Sequence, residues 1–99
     1  MCIRDRIESY KALLSEEIEA SIRLEDGVLA LYALAVKGSP EKIRIFEVYA
    51  DLEAYEAHLR SPHFLEYKES TSAMVWSLKL VETEPIALAD KLDDQRRHR

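Results

Sequence analysis

An α+β fold, with helices covering one face of a sheet, is what this sequence predicts. Three observations point to it. An early segment carries apolar residues at helical spacing. Two mid-chain segments of strand character share a short turn, and a Ser-Pro step divides a later helical stretch ahead of a final alternating run.

From Ile7 to Leu24 the apolar residues Ile7, Tyr10, Leu14, Ile18 and Ile22 recur in steps of three and four. They form one stripe of a helix and leave Glu16, Glu17, Glu19 and Arg23 for solvent. Gly27 is the expected stop. Residues 28–37, VLALYALAVK, are apolar at successive positions and predict a strand buried on both sides. Gly38 and Pro40 mark a turn. Within 43–50, IRIFEVYA, Ile43, Ile45, Glu47 and Tyr49 share one face, and Arg44, Phe46, Val48 and Ala50 the other. The short connection makes these two strands an antiparallel hairpin. Asp51 is placed to cap a helix over 52–59. Ser61 caps the next, with Pro62 in its first turn, where a missing N–H is harmless. The stripe of that helix is Phe64, Tyr67, Thr71 and Met74. Residues 77–83, SLKLVET, predict a last strand, and 86–92, IALADKL, a brief helix or docking arm.

The order helix, strand, strand, broken helix, strand lacks one strand at its start to be a ferredoxin-like βαββαβ unit. The opening MCIRDR is short and charged for that role. It resembles a string found at the start of reading frames assembled from sequencing data, so residues 1–6 are expected to be a non-native or remnant N-terminus. The first strand is then missing, and strands 43–50 and 77–83 either leave a gap or pair directly. The alternative is that Cys2 to Arg4 pairs as a stub.

At 99 residues, 47% hydrophobic and 33% charged, the chain suits one globular domain. Its net charge of −5, from 14 basic and 19 acidic residues, argues against a nucleic-acid surface. Three of the basic residues, Arg96, Arg97 and Arg99, lie in the terminal DDQRRHR, part of a charged tail over 87–99 that is expected to be solvated. No run approaches the roughly 18 apolar residues of a membrane span, and no leader for export is visible. The single cysteine, Cys2, excludes an internal disulfide and a cysteine-based zinc site, so the cytoplasm is the expected location.

His58 and His63 stand five apart across the Ser61-Pro62 step. On one continuous helix they would point about 140° apart, whereas zinc-binding helices use i, i+4, so no metal is expected. As acid/base groups they suit proton transfer near neutral pH. By spacing alone they also fit as helix-end residues bonding backbone. His63 shares a helix face with Tyr67. Glu47 lies on a strand face with Ile43 and Ile45, which demands a partner or a wet cavity; structural and catalytic readings are both open. Tyr10, Tyr32 and Tyr55 are assigned to packing, and Trp76 to packing ahead of a pocket or a subunit interface. Nucleophile elbows, phosphate loops and dinucleotide fingerprints are lacking.

The stretch RIFEVYADLEAYEAHLRSPHFLEY, residues 44–67, resembles the signature of the antibiotic biosynthesis monooxygenase (ABM) family, which includes quinol monooxygenases. That pattern is Glu-x-aromatic on a strand, an acidic helix ending in Ala-His, then Thr/Ser-Pro-His-aromatic and a tyrosine. Glu47, Tyr49, Ala57-His58, Ser61-Pro62-His63-Phe64 and Tyr67 match it. The glutamate-rich helix followed by Glu25-Asp26-Gly27 and a strand also fits, so the domain is placed at residues 7–86. The resemblance implies a ferredoxin-like protomer that forms a homodimeric α/β barrel. It further implies a cofactor-free monooxygenase that oxidises a quinol or polyphenol-like small aromatic with O₂. His63 or His58 would take the phenolic proton, with Glu47 orienting it, while Tyr49, Tyr67, Phe64 and Met74 line the substrate pocket. Many relatives carry Trp where Tyr49 stands, and place a polar pocket residue on the first strand. Other readings are an isomerase of the autoinducer-processing kind, using the same base without O₂, and a non-catalytic dimeric ligand-binding domain. A haem-degrading role suits this acidic chain poorly.

Overall fold

A computed structural model describes residues 1–4 and 6–89. Its elements run β1 (Cys2–Ile3), α1 (Ile7–Leu24), β2 (Val28–Val36), β3 (Ser39–Tyr49), α2 (Leu52–Leu59), α3 (Pro62–Thr71) and β4 (Val75–Ser77). The sheet order is β2-β3-β1-β4, the ferredoxin-like arrangement, and every pairing is antiparallel.

The first strand is therefore not missing. It spans two residues and holds the central place, so strands β3 and β4 neither pair directly nor leave a gap. Backbone hydrogen bonds extend its reach at each end. Ile43 N–H donates to the Met1 carbonyl at 2.8 Å, and Arg4 N–H to the Met74 carbonyl at 2.7 Å. The hairpin of β2 and β3 carries the longest pairing, Val28 against Tyr49 through Val36 against Ser39. Gly38, at φ 86°, takes the left-handed turn conformation that a Cβ would disfavour.

Helix α1 has the predicted bounds, but its buried face is rotated. Tyr10, Leu14, Glu17 and Ser21 are buried, while Ile22 is 46% exposed. Tyr10, Leu14, Glu17 and Ser21 are themselves spaced 4, 3 and 4, so a second stripe competed with the more apolar one. The core consists of Ile3, Tyr10, Leu14, Ile43 and Met74, with Ile7, Ile18, Ile45, Tyr67 and Val75 packed around it.

Strand β2 is not buried on both sides. It is an edge strand, and helices cover only one face of the sheet. Alternation from the core residue Ile43 puts Phe46 on the other face, across from Tyr32 in register, and both are about half exposed. Trp76, next to the core-packed Val75, is 59% exposed. The last strand is 75–77 rather than 77–83. Residues 78–89 are exposed and form neither strand nor helix, and Leu78, Leu80, Val81, Ile86 and Leu88 all face solvent. Most of the expected charged tail lies outside the described residues. None of the described helices is long and apolar enough to cross a membrane.

Candidate active site

Two capped helices bring the histidines together. Asp51 ends the extended chain of β3 and accepts a hydrogen bond from Ala54 N–H at 2.7 Å, which starts α2. After Leu59 the chain turns, Ser61 accepts from Phe64 N–H, and Pro62 occupies the first turn of α3. The Ser61 hydroxyl also donates to the His58 carbonyl at 2.7 Å, which ties the junction to the histidine. His58 closes one helix and His63 opens the next, so the divergence expected on a continuous helix does not arise. Their ring centroids lie 6.2 Å apart.

The carboxylate that joins them is Glu25. Its Oε2 accepts from His58 Nδ1 at 2.8 Å and from His63 Nε2 at 2.5 Å. Glu25 is the C-cap of α1, held by its own N–H on the Ser21 carbonyl. Close packing puts α2 beside it. A Cβ on Gly27 would lie 2.5 Å from Ala54 Cβ, so Gly27 provides room for α2 to approach β2, rather than the helix stop. Burial acts to raise the Glu25 pKa, but the hydrogen bonds and charge of His58 and His63 prevail and hold it below the ordinary carboxylate value. An ionised Glu25 takes the Nδ1–H of His58 and the Nε2–H of His63, so that in a neutral ring the other nitrogen is the acceptor.

A second carboxylate stands behind His58. Glu17 is buried, accepts from Ser21 Oγ at 2.5 Å, and places Oε1 3.6 Å from His58 Nε2. Glu17, His58 and His63 bring one ligand atom each to within 4.8 Å of one another. His58 is only 2% exposed, sandwiched by Phe64 at 4.9 Å and Tyr49 at 5.5 Å between ring centroids. His63 instead lines a cavity of about 210 Å³ between α1 and α3, together with Leu13, Glu17, Glu66 and Tyr67. Tyr67 shares a 2.6 Å hydrogen bond with Tyr10.

Glu47 does not orient a histidine. It accepts from Tyr49 O–H at 2.6 Å on an exposed stretch of β3, a bond between i and i+2 on one strand face. Tyr49 and Phe64 flank His58, and Tyr67 borders the cavity. Met74 is corrected from pocket to core, because it is 5% exposed beside Ile3 and Tyr10. Glu25 was not singled out by the sequence, and Glu17, expected on the solvent face of α1, is buried instead. Glu25 could have been found in the Glu25-Asp26-Gly27 step, and Glu17 by its fit to the stripe of Tyr10 and Leu14.

The family model of antibiotic biosynthesis monooxygenases matches residues 4–70. A solved protein of that designation from Bacteriodes thetaiotaomicron VPI-5482 is 50% identical, with a TM-score of 0.83, over 87% of this chain and 84% of its own. A candidate monooxygenase from Lactobacillus acidophilus NCFM is 32% identical, with a TM-score of 0.74, over 76% of this chain and 36% of its own. Rv0793 from Mycobacterium tuberculosis is 25% identical, with a TM-score of 0.74, over 90% of this chain and 91% of its own. No curated protein sequence matches. Sequence match and fold agree, and the chain belongs to the antibiotic biosynthesis monooxygenase family.

Proposed function

We propose that this protein is a cofactor-independent monooxygenase that oxidises a quinol or polyphenol-like small aromatic with O₂. The supporting observation is the shared Glu25 oxygen between His58 and His63, with His63 open to the cavity. A carboxylate on one ring nitrogen sets the tautomer and orientation and favours the imidazolium that forms when the other takes a proton. In this reading His63 removes the phenolic proton, and the electron-rich anion gives an electron to O₂. Glu25 positions the base, and His58 holds Glu25 from the buried side. Tyr67 and Phe64 bound the substrate, with the Glu47–Tyr49 pair at the β3 end.

The active form is proposed to be a homodimer built on the uncovered sheet face. Tyr32, Leu34, Phe46 and Trp76 leave that face apolar, and isolated soluble chains seldom expose such a patch.

O₂ uptake with a panel of quinols tests the chemistry. His63→Ala should lower turnover by about 10²–10⁴-fold, the range for removal of a positioned base. If no quinol gives uptake above that of His63→Ala, the oxygenase reading fails. Substrate conversion without O₂ uptake would replace it with proton-transfer chemistry.

A further inference from the structure

We propose that Glu17, His58 and His63 form a site for one zinc-class divalent ion, with its open coordination position toward the cavity between α1 and α3. This does not depend on the oxygenase reading. Two nitrogens and a carboxylate oxygen, one from each residue, already lie within 4.8 Å of one another. Such a donor set with a vacant fourth position is that of an open zinc site, and cobalt or nickel ions accept it as well. The spacing of Glu17 and His58 is specific. Their 3.6 Å separation is too long for a good hydrogen bond. It is close to the span of roughly 3.4 Å between two ligands on a tetrahedral ion with bonds of about 2.0–2.1 Å.

The surroundings supply what ligands of such an ion require. A metal-bound histidine gives its other N–H to a carboxylate, and Glu25 stands 2.8 Å from Nδ1 of His58, leaving Nε2 toward Glu17. Ser21 Oγ donates at 2.5 Å to Glu17 Oε1, the oxygen that faces His58 Nε2, and so fixes its position. Only His63 has to turn, and as a cavity-lining residue 15% exposed it has room. Glu17 brings a negative charge, and Glu66 on the cavity wall adds a second. An ion held there takes the His63 lone pair, so it also inhibits any reaction that uses His63 as base.

Calorimetric titration of the untagged, chelator-treated protein with ZnCl₂, and with CoCl₂ followed by its visible spectrum, decides the matter. One ion per chain should bind at micromolar or tighter affinity, with the intense visible bands of four-coordinate cobalt. Glu17→Gln and His63→Ala, both checked for folding by circular dichroism, should each weaken binding at least about 100-fold, and Glu25→Gln about 10–100-fold. Cys2→Ser and His98→Ala should leave it unchanged. Absence of binding to the folded wild-type chain overturns the proposal. So does binding that survives both ligand substitutions, or that is lost with Cys2 or His98.

Discussion

Tyr10 shows how one side chain serves both core and site. It is fully buried in the core, and its hydroxyl meets Tyr67 at the edge of the cavity. Burial first, and then the bond to Tyr67, push its pKa far above the ordinary tyrosine value. The unfolded chain releases this proton near pH 10, whereas the folded chain retains it. Tyr10 thus contributes its full stability below pH 10 and loses it as pH rises beyond. The expected slope is up to about 1.4 kcal/mol per pH unit from this residue alone. Urea denaturation of wild type and Tyr10→Phe across pH 8–11 checks this, and the two curves should converge on the alkaline side. At neutral pH Tyr10→Phe should cost about 0.5–1.5 kcal/mol, since Tyr67 can turn its hydroxyl to the cavity. A constant gap between the curves up to pH 11 would refute the account.

At the scale of elements, the placement of α2 depends on Gly27. Gly27→Ala drives a methyl group into Ala54, and α2 must move away from the start of β2. The cost is expected at about 1–3 kcal/mol, typical of overpacking. Because His58 lies one turn beyond Ala54 on α2, the shift also loosens the bond to Glu25. Adding Ala54→Gly should recover most of the stability, which a double-mutant cycle by chemical denaturation measures. Additive losses would place the cause outside this contact. The bounds of α2 and the caps of α2 and α3 were legible because Asp51, Ser61 and Pro62 act on their own next turn. The burial of β2 was not, because an apolar run looks the same whether its second face meets a helix or another molecule.

At the scale of the whole molecule, the uncovered sheet face is the surface proposed for dimerisation. The pairing of Tyr32 with Phe46 puts two half-exposed rings near its middle. Phe46→Glu places a charge there and should convert a wild-type dimer to monomer in sedimentation velocity, with circular dichroism unchanged, since Phe46 faces away from the core. A wild type that sediments only as monomer would remove the homodimer from the proposal. Residues 78–89 are exposed and apolar at Leu78, Leu80, Val81, Ile86 and Leu88, as the open sheet face is.

Local chemistry in the sequence determined the spans of α1 and α2, the start of α3, the hairpin, the capped junction at Ser61-Pro62 and the two histidines as candidates. Each of these depends on residues within a turn or two of one another, where propensity and spacing act directly. Tertiary structure decided which stripe of α1 turns inward and that two residues of β1 suffice to hold the sheet centre. It also decided that Glu25, rather than Glu47, grips both histidines. Glu25 is 33 and 38 residues from its partners. Its role arises only when the end of α1 and the α2–α3 junction pack side by side, and no local pattern records that contact.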